Sequence, residues 1–413
     1  MVDSKNIFAL DLGTTKFCIL WLPIDDNHGT PVIRKISIPS QGMRRGMVSD
    51  IDAATEALRN LVDKAEEEFG VDVRTIHTGI AGSHLKSRIG RAKIDIGGSR
   101  VNRDFREQVV ELCLTSKTTA TTEILHNIPL SFQIDSREPV DNPDGFAGDL
   151  LSAETFIIEA DKNYVKDVVK LCNNAGLQVA GIYAEPYASA MVTVPVIYRE
   201  NGVIIADIGG GTTDGIIFRH GKPVKLFTIN IGGKLMTSDL AQVLRIADHT
   251  AESVKCLVGL SGANSEQMVP DLDGNLIHLP TERARYVLKS RTLELLELIR
   301  KETGPFFPLA RTGCIFTGGG SALSGLVSFV NESYKLPVKI AEAEIPASFL
   351  KLQDSQLQAS RPEERVRMAS PYSTACGILY LAVRELVKEH EKPGLFHSRK
   401  YLKAIVNWIK ELT

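Results

Sequence analysis

Long apolar runs are missing from this chain of 413 residues. No stretch approaches the ~20 consecutive apolar residues that a membrane-spanning helix needs. The start, MVDSKN, passes directly into a strand-like run, so no secretory signal is expected. The six cysteines (Cys18, Cys113, Cys172, Cys256, Cys314 and Cys376) never form a C-x-x-C pair. Their scatter through apolar runs argues against zinc or a disulfide framework and for reduced thiols in a cytoplasm. Charge of one sign is lacking too. The formal net charge is −2, which gives no basis for whole-protein nucleic-acid binding. There is no low-complexity tract. With 43% hydrophobic and 24% charged residues, the chain is an ordinary globular protein, long enough for two or more domains.

What is there first is glycine in particular places. The stretch VIIADIGGGTTDGIIF, Val203 to Phe218, puts Asp207, three glycines, two threonines and Asp214 between two β-branched runs. A turn of Gly209, Gly210 and Gly211 lets a ligand approach bare backbone. Its N–H groups form a concavity for anions, and Thr212 and Thr213 add hydroxyl donors. The acids Asp207 and Asp214 cannot face phosphate without a cation between them, and Mg²⁺ is the usual solution. IFALDLGTTKFCIL, Ile7 to Leu20, repeats the design with Asp11, Gly13, Thr14 and Thr15. CIFTGGGSAL, Cys314 to Leu323, supplies a third glycine turn. Two similar strand–turn–strand units far apart predict a duplicated fold whose halves grip one ligand across a cleft.

The rest alternates strands and helices. Asp50 to Phe69 carries apolar residues at helical spacing and stops at Gly70. Ile76 to Gly82 reads as a strand entering a glycine turn. His84 to Ala160 differs in texture, rich in Gly and Pro between strand-like pieces, and reads as a small α+β insert. Asn163–Asn174 and Arg283–Glu302 read as helices, Thr237–Leu260 as two short ones, and Pro371–Leu386 as a compact one. Asp354 to Arg367 reads as a polar surface loop. Glu252 and Lys255, three apart on a helix, suit a ribose hydroxyl and an adenine, or else a surface ion pair. Glu185, between a strand and a helix, suits an acid that orients water, or a solvated loop acid.

The two Asp-Gly-Thr hairpins, the Glu-Pro-x-Ala-Ser turn and the Thr-Gly-Gly-Gly-Ser turn, in that order, resemble the actin, heat-shock chaperone and sugar-kinase superfamily. GIAGSH at Gly79 to His84, the insert after it, AGLQVAGIYAEPYASA, IGGKLMTSDLA and the form of the tail resemble the bacterial FtsA cell-division family over nearly the whole length. The resemblance implies an α/β, two-lobed actin-like ATPase fold of duplicated ribonuclease-H-like domains, with the insert and a C-terminal amphipathic helix. It implies residues 1–82, 161–200 and 369–387 as subdomain IA, 83–160 as the inserted subdomain IC, 201–233 and 312–368 as IIA, and 234–311 as IIB. A linker, 388–394, then leads to a membrane-targeting helix, 395–413.

The site it implies holds ATP and Mg²⁺. Asp11, Gly13, Thr14, Thr15 and Lys16 form one phosphate hairpin. Asp207, Gly209, Gly210, Gly211, Thr212, Thr213 and Asp214 form the other. Asp11 and Asp207 approach the metal, mostly through water. Glu185 and Asp214 fill the catalytic places, Glu185 as the water-orienting acid. Gly232 and Gly233 with Glu252 and Lys255 line the ribose and adenine side, and Gly318, Gly319, Gly320 and Ser321 close over the adenosine. The implied partners are the C-terminal peptide of FtsZ, with Arg291 as a basic contact, other copies of the chain in a protofilament, other division proteins and an anionic membrane surface. The implied place is the cytoplasmic side of the cell membrane at the division site. ATP turnover would be slow and would switch polymer state. A soluble small-molecule kinase would need a dedicated base beyond these acids, and none is evident. A pilus-assembly ATPase of the same superfamily is a further alternative.

The tail reads as membrane-binding without any family. GLFHSRKYLKAIVNWIKELT sets Leu402, Ile405, Val406, Ile409 and Leu412 on one helical face, with Trp408 and Tyr401 at its border. Arg399, Lys400, Lys403 and Lys410 take the remainder. A basic amphipathic helix with Trp suits the interface of an anionic membrane. A helix docked on the chain's own core or on a partner is the other reading.

Overall fold

A computed structural model describes residues 6–23, 33–115, 120–346 and 365–390. Two five-stranded sheets of the same design organise it. In the first, Asn6–Leu12 and Lys16–Pro23 form an antiparallel hairpin extended by Arg34–Pro39. On its other edge, Asn6–Leu12 pairs in parallel with Thr75–Ile80, which pairs in parallel with Gln178–Ala184. In the second, Val203–Ile208 and Thr213–Arg219 form the hairpin, extended by Lys222–Ile229. Cys314–Thr317 and then Val338–Ile340 add in parallel on the far edge. Three antiparallel strands followed by two parallel ones occur twice, in the same order. The strands at the centre are buried on both faces, which is why they read as unbroken apolar runs.

The helices follow local signals. Helix Ile51–Phe69 starts at Asp50, whose carboxylate accepts from the Asp52 and Ala53 N–H groups, and ends at Gly70 with φ 73°. Helix Glu185–Thr193 is buried along its length after Glu185. Helix Ser373–His390 crosses it so closely that a Cβ on Gly377 would lie 2.1 Å from the Ala188 carbonyl oxygen. These two helices pack between the sheets and share one core with both of them. A second core lies under helices Gly233–Leu244, Asp248–Val258 and Thr281–Thr303.

Between Ile80 and helix Lys162–Asn174 stands a separate three-stranded sheet, ordered Leu85–Asp95, Leu150–Asp161, Thr122–Ile134. Helix Arg103–Thr115 covers it, and it has its own small core around Val109, Phe132 and Leu151. Two elements differ from the sequence reading. Arg365–Met368, assigned to the end of a polar loop, pairs antiparallel with Ala343–Pro346. Alternation of charged and apolar residues in RVRM is too short a signal to separate a strand from a loop. A hairpin, Glu266–Pro270 with Leu276–Pro280, also precedes the long helix unannounced. Residues 354–364 of that loop and the whole tail from 391, with Leu402, Ile405, Val406, Trp408, Ile409 and Leu412, lie outside the described residues.

Candidate functional site

The two hairpin turns, the third glycine turn and the start of helix Glu185–Thr193 face one cleft of ≈ 790 Å³ between the sheets. Asp11 and Asp207 each occupy the last turn of a central strand, paired with Cys18 and Asp214 across their hairpins. Gly13, Thr14, Thr15 and Lys16 line one wall, and Gly209, Gly210, Gly211 and Thr212 the opposite one. The walls touch. A Cβ on Gly211 would lie 2.9 Å from the Arg45 backbone and 2.8 Å from the Thr14 hydroxyl. Lys234 Nζ donates to the Thr14 carbonyl at 2.6 Å, tying the lobes together.

The acids differ in their partners. Asp214 accepts from the Thr212 and Thr228 hydroxyls, each at 2.6 Å, and from the Gly82 N–H at 3.2 Å. Burial nevertheless raises its pKa, opposed by these donors. Asp207 accepts from the Thr374 hydroxyl at 3.1 Å. Burial, with Asp214 and Asp11 nearby, lifts Asp207 to about 7. Burial lifts Asp11 to about 6, opposed by Lys16. Glu185 is raised well above the ordinary range by burial and then by Asp11, Asp214 and Asp207. Room for it comes from Gly79, where a Cβ would meet the Glu185 Cγ at 2.5 Å.

Four acids gather around one cleft, and Lys16, Lys234 and Lys255 are among the residues that line it. Among the described residues no three acid, His or Cys side chains converge to hold a cation alone. The donor set therefore suits Mg²⁺ that keeps waters and takes its other ligands from phosphate. The bare backbone at Gly209–Gly211 and Gly318–Gly320 leaves space that a Cβ would occupy. On Gly318 that atom would lie 2.1 Å from Asp207 Oδ1, and on Gly320 2.9 Å from the Ile208 carbonyl.

Gly233, Glu252 and Lys255 line the far end of the cleft. Glu252 and Lys255 form the i,i+3 ion pair and also line the cleft. Lys255 Nζ pairs with Glu252 Oε2 at 2.6 Å and also donates to the Thr237 hydroxyl at 2.9 Å and the Gly233 carbonyl at 3.1 Å. All three of its donors are engaged. Three expected residues do not reach the cleft. The Thr213 hydroxyl donates to the Ile231 carbonyl at 2.7 Å, inside the sheet. Thr213 opens the strand Thr213–Arg219, where side chains alternate, and the next residue, Asp214, takes the cleft face. Ser321 is buried and donates to the Gly318 carbonyl at 2.7 Å, holding the turn rather than a ligand. Gly232 lies behind the wall, where a Cβ would sit 2.6 Å from the Gly209 carbonyl. Arg291 is neither in the cleft nor free. It pairs with Asp239 through Nε at 2.5 Å and Nη2 at 2.9 Å, and also with Glu294. Sequence reading missed Lys234, Thr237, Thr228 and Thr374. Only Lys234, directly after Gly232-Gly233, carried a local signal.

Two family models match the chain, "Cell division protein FtsA" over residues 204–377 and "SHS2 domain inserted in FTSA" over residues 82–159. The chain belongs to the FtsA family. The second match falls on the separate three-stranded unit. The FtsA of Pseudomonas aeruginosa is 29% identical over 346 residues, 82% of this chain and 83% of its own. That of Escherichia coli K12 is 27% identical over 427 residues, 99% of this chain and 97% of its own. The fold is the actin-like one. It is similar to the PilM–PilN type IV pilus biogenesis complex, with TM-score 0.59 and 18% identity over 90% of this chain and 97% of that one. It is also similar to MreB5 of Spiroplasma citri bound to ADP, with TM-score 0.53 and 16% identity over 95% and 99%. As an FtsA, this chain is a cell-division protein with an actin-like fold.

Proposed function

We propose that this FtsA binds Mg-ATP in the inter-lobe cleft, assembles into actin-like protofilaments and tethers FtsZ to the cytoplasmic membrane. The observation that carries the nucleotide reading is the convergence of two acid–glycine–threonine turns on one cleft of ≈ 790 Å³. That an actin-like neighbour is described as bound to ADP and another as bound to AMPPNP supports it. Asp11 and Asp207 would hold Mg²⁺, which would supply neutralisation of phosphate charge there. Backbone N–H groups of the two turns would cradle the phosphate. Glu185, oriented by its helix and kept basic only once a cation lowers its pKa, positions water. Gly233, Glu252 and Lys255 take the ribose and adenine.

Closure of the cleft sets the faces that meet the next copy, with the unit over residues 83–160 as one contact. The region 234–311, with Arg291, takes the FtsZ peptide, whose acids compete with Asp239 and Glu294 for the guanidinium. The basic, Trp-bearing tail from 395 anchors the assembly on anionic lipid at the division site. Electron microscopy with Mg-ATP on an anionic lipid monolayer tests the whole reading, and ordered filaments on the lipid are expected. The chain cut after Pro393 should still bind nucleotide but leave the lipid bare. Lipid binding by that truncation would sink the anchor.

A further inference from the structure

A small hairpin of the first lobe, Met43–Arg44 paired with Met47–Val48, abuts the second phosphate turn. Its own turn has φ 53° at Arg45 and 74° at Gly46. A two-residue turn of that hand suits Asn, Asp or Gly at its first place, so an arginine there is strained. The turn sits on the seam between the lobes. The Gly46 N–H donates to the Thr14 hydroxyl at 3.0 Å, and a Cβ on Gly211 would lie 2.9 Å from the Arg45 N and Cα. The Arg45 side chain is exposed, and among the described residues it makes no hydrogen bond or ion pair.

Gly82 joins this turn to the cleft. Its N–H donates to Asp214 Oδ1 at 3.2 Å. A Cβ on it, at φ 112°, would lie 3.2 Å from the Arg45 carbonyl oxygen and 3.4 Å from His84 Nδ1. His84 is 8% exposed and stacks on Tyr164, with ring centres 4.5 Å apart. Both of its ring nitrogens are buried, and neither has a hydrogen-bond partner. Burial pushes its pKa down to about 4, opposed by Asp161. A neutral imidazole still carries one N–H donor, and leaving it unmade in a buried place is costly. The acids close by are already engaged. Asp214 accepts from Thr212, Thr228 and Gly82, and Asp161 Oδ1 accepts from the Asn163 N–H at 2.8 Å. An unpaired guanidinium fork and an unused imidazole donor beside one glycine suit a tetrahedral oxyanion, whose several oxygens can meet both.

We propose that Arg45 and His84 form a phosphate subsite at the seam, which takes inorganic phosphate leaving the cleft while ADP stays. The proposal rests on the Mg-ATP reading above. In that reaction water adds to the terminal phosphorus, the bond to the ADP oxygen breaks, and ADP, inorganic phosphate and a proton result. With ADP still in the cleft, the phosphate needs another way out. The seam is sealed by the backbone of Arg45 against Gly82 and Gly211, and the strain at Arg45 lowers the cost of shifting that turn.

The test labels the full-length chain with ¹³C at histidine Cε1 and assigns His84 by the NMR signal lost in His84→Gln. Inorganic phosphate is added against chloride at constant ionic strength, with Mg-ADP or Mg-AMPPNP present. Phosphate beside Mg-ADP should shift the His84 signal saturably, and chloride should not. The subsite lies outside the place of the terminal phosphate, so the shift should persist with Mg-AMPPNP. Arg45→Gln should weaken phosphate at least tenfold, and Arg45→Lys less. If Arg45→Gln fails to fold, the contrast between phosphate and chloride on the unaltered chain decides. No His84 shift, an equal shift with chloride, or an unchanged phosphate affinity in Arg45→Gln would each overturn the proposal. So would a shift abolished by Mg-AMPPNP, because the phosphate would then sit in the cleft itself. Calorimetry that finds no Mg-ADP binding would defeat the Mg-ATP reading instead, and the response of His84 to phosphate alone would then decide the subsite.

Discussion

The two hairpins at the cleft copy one plan and depart from it in charge. The first turn carries one acid, Asp11, with Lys16 close enough to lower its pKa. The second carries two acids, Asp207 and Asp214, paired across the hairpin with no cation among the causes acting on either. Glycine divides in the same way. A Cβ on Gly13 would meet its own turn, 2.9 Å from the Lys16 carbonyl, whereas one on Gly211 would meet the opposite lobe. The first turn is built to hold itself, and the second to meet what lies across the cleft. One fold duplicated has become a turn with a lysine beside its single acid facing a turn with two acids. On the proposed Mg-ATP reading, the turn with two acids is the one expected to depend on an added cation.

The largest break in this asymmetry should come from Asp207→Ala. Losing the acid that has no cation partner should weaken Mg-ATP binding at least tenfold, about 1.4 kcal/mol, and abolish assembly. Asp11→Ala should cost less, because the Lys16 charge stays on that wall of the cleft. Titration calorimetry on both variants checks the order. An equal or larger loss for Asp11→Ala would mean that the walls are functionally equivalent.

The glycines sharpen the same contrast at smaller cost. Gly211→Ala presses on the Arg45 backbone and should prop the lobes apart. It should lower nucleotide affinity several-fold while leaving the melting temperature of the free protein nearly unchanged. Gly13→Ala strains its own hairpin and should instead cost ~1–3 kcal/mol of stability, the usual range for overpacking. Thermal unfolding beside nucleotide titration separates the two. Similar profiles would show that Gly211 also serves only its own turn.

Much of this was legible in the chain because the signals were local and repeated. The acid, glycine and threonine residues of both hairpins, Glu185 at a strand–helix junction and the glycines of the third turn are each readable within a few residues. What escaped was long-range. Thr228 reaches Asp214 from the third strand of the sheet, and Thr374 reaches Asp207 across 167 positions. Lys234 meets Thr14 across 220. No periodicity announces such pairs. Thr213 and Ser321 failed for the opposite reason, since a motif names residue types without saying which face of a strand or turn each will take. Arg291 was legible as a cation on a helix, but its bidentate Asp239 partner lies on another helix.

The smallest effect concerns pH, and it also tests whether the turn with two acids carries uncompensated charge. In the free protein Asp11 and Asp207 have pKa values raised to about 6 and about 7 from 3.8. A carboxyl raised on folding binds its proton more tightly in the folded state, so its contribution to stability is fully present below 3.8 and is lost as pH rises through 6 to 7. In EDTA, these two groups should therefore lower the melting temperature between pH 5 and pH 8. Asp207→Asn should flatten that decline more than Asp11→Asn, because Asp207 titrates higher and lacks a lysine. Saturating Mg-ATP should flatten it in the unaltered protein too, since a bound cation pulls both values down. Calorimetry across that window decides the matter. A decline that survives both Asp207→Asn and Mg-ATP would place the pH sensitivity on other groups, Asp214 and Glu185 among them, and undo the link between Asp207 and an added cation.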